Sequence, residues 1–67
     1  MEKIILKIGD SVVLYNGTSG IISDIEYASY RIEISANHMV SEIVHILNVR
    51  YVNGIDCEKN NIEIRLK

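Results

Sequence analysis

The 67-residue sequence has no proline, tryptophan or phenylalanine, and it has a single cysteine. One cysteine cannot close an internal disulfide, so the chain is not a disulfide-stabilised mini-protein. No apolar run approaches the ~18 residues that a membrane-spanning helix needs. The sequence also does not open with a basic segment followed by an apolar one. We therefore expect no signal peptide and a cytoplasmic location.

The short length predicts one small domain, residues 1–67. A domain of this size buries only ~60% of the surface of its unfolded chain, and its core supplies about 3–5 kcal/mol of net stability. Hydrophobic residues nevertheless make up 48% of the sequence. We expect part of this apolar surface to face a partner, which is either another protein or a second copy of the chain, giving a homo-oligomer.

The composition favours strands over helices. Isoleucine occurs 13 times and valine six times, whereas alanine occurs only twice, and β-branched residues pack well in strands. The frequent isoleucine, asparagine, lysine and tyrosine are also typical of translation from an AT-rich genome. A low-GC bacterium, or a phage or mobile element within one, is the source that this bias suggests.

Short apolar or alternating runs, separated by turn residues, divide the chain into predicted strands. Asn16-Gly17 and Asn53-Gly54 supply pairs of residues that tolerate positive φ, as tight hairpins require. The predicted strands are residues 3–8, 11–15, 20–26, 30–35, 45–52 and 62–66. Five or six short strands in so small a chain predict a mostly β fold, either two packed layers or a small barrel.

The stretch 36–48 is ambiguous between helix and strand. Apolar residues recur at the spacing of one helical face, although four β-branched residues in this stretch disfavour a helix. The residues on that face are Ala36, Met39, Val40, Ile43, Val44 and Leu47. We expect a short helix or helical turn near 37–44. The alternative is an α+β fold, with an antiparallel sheet and one helix at 36–47.

Residues 9–26 carry a resemblance to a known fold. A Gly9-Asp10 entry, a Val12-Val13-Leu14 strand, a glycine-bounded turn and then Gly20-Ile21-Ile22 resemble the opening hairpin of small Src-homology-3-like barrels. The segment is similar to the KOW-type segments of ribosomal and transcription-associated proteins. This resemblance implies a barrel of five or six strands and, through the KOW-type proteins, nucleic-acid binding.

The distribution of charge bears on nucleic-acid binding. The chain has seven cations and nine anions, with a net charge of −2, and the turn at 16–20 is uncharged. Affinity for nucleic acids depends largely on neutralising phosphates. A KOW-like nucleic-acid-binding module is therefore an alternative interpretation. It requires the fold to gather Arg31, Arg50 and Arg65 on one face.

The tyrosines are the candidate residues for protein binding, because tyrosine is enriched at protein-binding surfaces. Turn residues are further candidates, since binding residues collect on loops that a rigid scaffold carries. The predicted protein-binding residues are Tyr15, Asn16, Thr18, Tyr27, Tyr30, Tyr51, Asn53 and Asp56.

No residue pattern supports catalysis, a metal site or a cofactor. His38, His45 and Cys57 lack the spacing of zinc ligands. Cys57 lies between Asp56 and Glu58, and neighbouring anions make a thiol a poor nucleophile. No nucleophile elbow or phosphate-binding glycine loop is present. We therefore expect a protein that is not an enzyme.

The sequence leads to one main interpretation and two alternatives. We expect a non-enzymatic protein-binding module, of which a phage or mobile-element inhibitor of a host defence protein is a concrete form. The first alternative is the KOW-like nucleic-acid-binding module. The second is a self-assembling structural protein whose sheet edges pair with each other.

Overall fold

The computed structural model describes residues 2–36 and 40–67. These residues form eight strands and one turn of 3₁₀ helix. In chain order, the strands are β1 (Lys3–Ile5), β2 (Ser11–Leu14), β3 (Ser19–Glu26), β4 (Arg31–Ser35), β5 (Ser41–His45), β6 (Val49–Val52), β7 (Ile55–Asp56) and β8 (Glu63–Arg65). The 3₁₀ turn (Ile46–Asn48) joins β5 to β6.

Six strands form one antiparallel sheet in the order β5-β4-β3-β2-β6-β7. Strands β2 to β5 are consecutive neighbours, and β6 then returns to pair with β2. The first and last strands of the chain, β1 and β8, form a separate two-stranded parallel sheet. The chain termini are therefore held together by a pairing that joins residues about 60 positions apart, as in Lys3 opposite Glu63.

The core lies on one face of the large sheet and is closed by the small sheet. Alternation places Val12, Ile22, Ile32 and Ile34 on the inner face, each with at most 1% of its surface exposed. Leu6 and Leu66, which follow β1 and β8, complete the core from the other side. The core residues are Leu6, Val12, Leu14, Ile22, Ile32, Ile34, Ile46, Val49, Val52, Cys57 and Leu66.

The predicted mostly β fold is confirmed. The described residues form eight strands rather than the five or six predicted, and six of the eight form the main sheet. Both Asn-Gly turns are also in place. Asn53 (φ 50°) and Gly54 (φ 83°) form a two-residue turn with both φ values positive, which is the geometry of a tight hairpin. In the described ranges, the outermost strands β5 and β7 do not pair with each other. The sheet is therefore open rather than a closed barrel.

The helical prediction near 37–44 is wrong where the structure describes it, because Ser41–His45 is strand β5. The alternative helix at 36–47 is wrong for the same reason. Residues 37–39 lie outside the described residues. Backbone pairing with β4 along all of β5 outweighs the helical spacing of the apolar residues. The predicted strand at 45–52 is likewise interrupted by the 3₁₀ turn.

Candidate protein-binding groove

Two neighbouring cavities follow the outer side of β8. The first, of about 330 Å³, is lined by Tyr27, Tyr30, Ile46 and residues 63–67. The second, of about 290 Å³, is lined by Tyr15, Ile46, Leu47, Val49, Cys57, Glu58 and residues 62–64. Both cavities share Ile46, Glu63 and Ile64. We call this continuous depression the β8 groove.

The groove exists because β8 has a strand on one side only. In the parallel ladder, Glu63 and Arg65 direct their N–H and C=O groups towards β1. Ile64, between them, directs its backbone groups the other way, away from β1. The 3₁₀ turn packs against β8. Its first residue, Ile46, is buried. Ile46 and Ile64 thus form the ridge between the two cavities.

The first cavity is bordered by the turn between β3 and β4. Tyr27 and Tyr30 are the ends of this turn, in which the Tyr30 amide donates to the Tyr27 carbonyl (3.3 Å). Tyr30 adopts a positive φ of 55°. Its ring centroid lies 6.3 Å from that of His45. Lys67 Nζ lies 5.4 Å from the centre of the Tyr27 ring, which is within range of a cation–π interaction.

The second cavity is bordered by Tyr15 and Leu47. Tyr15 follows β2, and its amide donates to the Asn48 carbonyl (2.9 Å), which holds the tyrosine beside the 3₁₀ turn. Leu47 exposes 78% of its surface, the largest fraction among the exposed large hydrophobic residues. Tyr15, Tyr27 and Tyr30 expose 54%, 48% and 57%. Large apolar surfaces therefore stand at both ends of the groove.

Arg50 fills the space between Tyr15 and Tyr51. Its guanidinium carbon lies 5.9 Å from the Tyr15 ring centre and 5.4 Å from the Tyr51 ring centre. Arg50 Nε and Nη2 donate to the two carboxylate oxygens of Asp56 at 3.2 and 3.0 Å. Glu58 lies 3.6 Å away on the same guanidinium. Tyr51 is therefore part of this cluster, whereas Tyr15 belongs to both the cluster and the groove.

The Arg50–Asp56 pair alters the titration of both groups. The Arg50 guanidinium, helped by the Lys59 backbone N–H, lowers the pKa of Asp56 from 3.8 to about 2. The hydrogen bond to Asp56 raises the pKa of Arg50. Asp56 also accepts from the Lys59 amide at 3.1 Å and so anchors the turn after β7. Asp56 therefore has an internal structural role in β7, which its predicted position in a turn did not indicate.

Two other predicted binding residues also have internal roles. Asn16 Oδ1 accepts from the Thr18 amide (2.9 Å) and so closes the hairpin turn in which Thr18 lies. Asn53 Oδ1 accepts from the Ser11 amide (2.9 Å), while Asn53 Nδ2 donates to the buried Asp10 (3.2 Å). These side chains stabilise turns, and neither asparagine lines the β8 groove.

The three arginines of the nucleic-acid alternative each lie next to a carboxylate. Arg31 is opposite Glu26 in the β3–β4 register and lines a separate cavity with Asp24 and Glu33. Arg65 lies 3.9 Å from Glu63, and Arg50 is paired with Asp56. No described cavity contains two of the three arginines. Each of the three arginines therefore has a carboxylate near it that competes with phosphate for its charge.

Two observations on the described residues concern metal binding and thiol reactivity. Residues 2–36 and 40–67 contain no group of three or more His, Cys, Asp or Glu side chains placed to hold a metal ion. Cys57 is buried, and burial raises the pKa of its thiol, which disfavours the reactive thiolate. The same residues contain no helix long and apolar enough to cross a membrane.

The sequence predicted the tyrosines of the groove but not the ridge between its cavities or Leu47 at its border. Ile46, Leu47 and Ile64 were not candidate residues, because Leu47 lay on the expected helical face and Ile64 within an ordinary alternating strand. No local signal links the 3₁₀ turn to β8, which are separated by 14 residues (49–62).

The chain matches no protein-family model, and no curated protein or solved structure gives a significant match.

Proposed function

We propose that this protein is a non-enzymatic protein-binding module and that the β8 groove is its binding surface. The observation that carries the proposal is the convergence of Tyr15, Tyr27, Tyr30 and Leu47 on two adjoining cavities. Tyrosine contributes large contact area at low entropic cost, and interface energy concentrates in such anchors. The partner would insert one apolar side chain on each side of the Ile46–Ile64 ridge.

The size of the cavities favours side chains of a protein over a free small molecule. Sites for small molecules usually measure about 300–1,000 Å³ and enclose most of the ligand. The groove is divided into two shallow cavities, and the volume of each is close to the lower limit of that range. A shallow apolar surface with tyrosines at its rim is typical of a contact between proteins.

The charges around the groove would select the partner. Glu58 borders the second cavity, Arg65 and Lys67 border the first, and Glu63 borders both. Charges at the rim of an interface contribute more to specificity and association rate than to affinity. The proposal therefore includes a partner with cationic groups opposite Glu58 and anionic groups opposite Lys67.

Three narrower proposals accompany this function. The Src-homology-3-like resemblance is supported by a four-strand antiparallel meander whose fifth strand, β6, returns to β2. Inhibition of a host protein by a phage or mobile-element product is supported by the small size and the AT-rich composition. A cytoplasmic location is supported by the free, buried Cys57, because free thiols persist in reducing compartments.

The test is a comparison of three immobilised proteins in lysate of a low-GC bacterium. They are the wild type, a groove variant (Tyr30→Ser with Leu47→Ser) and a control variant, Ile8→Ser. Ile8 is 63% exposed but lines neither cavity of the groove. Mass spectrometry identifies the retained proteins before and after nuclease treatment.

We expect the wild type and the control to retain the same proteins, and this retention should persist after nuclease treatment. The groove variant should not retain them. Retention of the same proteins by all three baits would show that the groove is not the binding surface. Retention of nucleic acid alone, lost in high salt, would replace the proposal with the nucleic-acid alternative.

A further inference from the structure

The two sheets have four outer edges, and three of them are protected within the described ranges. The edge of β1 carries Lys3 and is followed by Lys7, and lysines at an edge oppose pairing with another chain. The edge of β8 faces the 3₁₀ turn. Strand β7 has only two residues. The edge of β5 has five residues, with no lysine, proline or bulge.

The hydrogen-bond pattern shows which backbone groups of β5 are free. The Ala36 amide donates to the Val40 carbonyl, and the Ile46 amide donates to the Tyr30 carbonyl. Hydrogen-bonded pairs alternate in an antiparallel ladder, so the groups of residues 42 and 44 also face β4. The N–H and C=O groups of Ser41, Ile43 and His45 consequently point outward, away from the sheet.

We propose that β5 pairs antiparallel with β5 of a second copy, about a two-fold axis at Ile43. This register places Ile43 opposite Ile43 of the second copy and Ser41 opposite His45. All three outward-facing residues of each strand then exchange hydrogen bonds. The two large sheets become one continuous sheet. This surface is separate from the β8 groove, since no residue of β5 lines the groove.

Apolar contact and charge both favour this register. Ile43 is 68% exposed, and the two copies of its side chain would cover each other on the outer face. Glu42 would lie opposite Val44. Moving the axis by one residue to position 42 would instead place the two Glu42 carboxylates directly opposite, and like charges so placed are destabilising. A second copy is therefore the occupant whose chemistry matches this edge.

Edge pairing alone covers little surface, and specific stable interfaces usually bury about 1,200–2,000 Å². We therefore expect a reversible dimer whose population rises with concentration. Sedimentation equilibrium from micromolar to millimolar chain should show the average mass of the wild type rising above the 7.6 kDa of the monomer. Ile43→Lys should remain at the monomer mass, whereas the control Ile8→Lys should associate as the wild type does.

Cysteine cross-linking tests the register directly. In a hydrogen-bonded antiparallel pair the Cα atoms lie about 5.5 Å apart, which a disulfide can bridge. Ile43→Cys should therefore form a covalent dimer on mild oxidation. Glu42→Cys, equally on the edge, should cross-link at least about tenfold more slowly, since the two copies of residue 42 would lie about 7–8 Å apart on the diagonal. The native Cys57 is buried, and the cross-linking of the wild type, which has this cysteine alone, gives the background rate.

Any one of three results would overturn the proposal. One is a wild type that stays monomeric up to millimolar concentration. Another is equal cross-linking of Ile43→Cys and Glu42→Cys, which would indicate random collision rather than a defined register. The third is association of Ile43→Lys equal to that of the wild type, which would assign self-association to another surface.

Discussion

The centre and the margin of the large sheet use the same amino acids for different purposes. Ile34 in β4 and Ile43 in β5 belong to neighbouring strands, and yet Ile34 is fully buried whereas Ile43 is 68% exposed. Ile34 points to the inner face, into the core. Ile43 is opposite Glu33 on the outer face, at an edge with no further strand.

In so small a domain, the number of apolar residues therefore does not show which of them stabilise the fold and which remain on the surface. The buried isoleucines and valines of β2, β3 and β4 hold the fold together. The exposed apolar residues of β5, the 3₁₀ turn and the tyrosine turns contribute little to the core and remain available to partners. Under the proposed function, the high hydrophobic fraction serves both the core and the contact with a partner.

The sharpest test of this contrast is to truncate both isoleucines. Ile34→Ala should lower the free energy of unfolding by about 2–5 kcal/mol, which is comparable to the whole stability of a domain this small. Ile43→Ala should change it by less than about 0.5 kcal/mol, because the side chain is exposed. Urea unfolding followed by circular dichroism, at low concentration, measures both. Equal losses would contradict the division into centre and margin.

The close approach of β3 and β4 is the next feature to break. A Cβ added at Gly20 would lie 2.8 Å from the Ser35 backbone oxygen, so the two strands would have to separate. Gly20→Ala should therefore cost about 1–3 kcal/mol in free energy of unfolding. The neighbouring Ser19→Ala, at an exposed position, is the control and should be nearly neutral. A Gly20→Ala protein as stable as the wild type would show that the strands can part without cost.

The Arg50–Asp56 pair at the margin should show itself through pH. The pKa of Asp56 falls from 3.8 in the unfolded chain to about 2 in the folded one, so its ionised form favours folding. This stability is fully present above about pH 4 and is lost as pH falls through 2. The wild type should unfold at a higher temperature than Asp56→Asn at pH 6, and the difference should shrink towards pH 2. A difference independent of pH would contradict the assignment.

The smallest effect on stability is expected in the β8 groove. Leu47→Ser should change the free energy of unfolding by less than about 0.5 kcal/mol, because Leu47 is 78% exposed. The same substitution should weaken partner capture. Thermal unfolding beside the capture experiment separates the two effects. A large loss of stability in Leu47→Ser would mean that this residue belongs to the core.

Features that depend on neighbouring residues were predicted correctly from the sequence, whereas features that depend on residues far apart in the chain were not. Strand β4 was predictable because Arg31, Ile32, Glu33 and Ile34 alternate strictly. The Asn53-Gly54 turn was predictable because its conformation depends on those two residues. Strand β5 was not, because its apolar spacing suits a helix as well and only pairing with β4 decides the outcome. Asn16, Asn53 and Asp56 were predicted to bind a partner, but their side chains accept hydrogen bonds within the fold. The donors are backbone amides of the same turn or of a distant strand.

The mostly β character, the two Asn-Gly turns and the surplus of apolar residues could be predicted from the amino-acid sequence alone. Each of these follows from local conformational preference or from composition. Only the tertiary structure decided that β8 pairs with β1, that the 3₁₀ turn packs beside β8, and that three of the four tyrosines border one groove. These features join residues far apart in the chain, and their formation depends on strand pairing and burial, which no local pattern specifies.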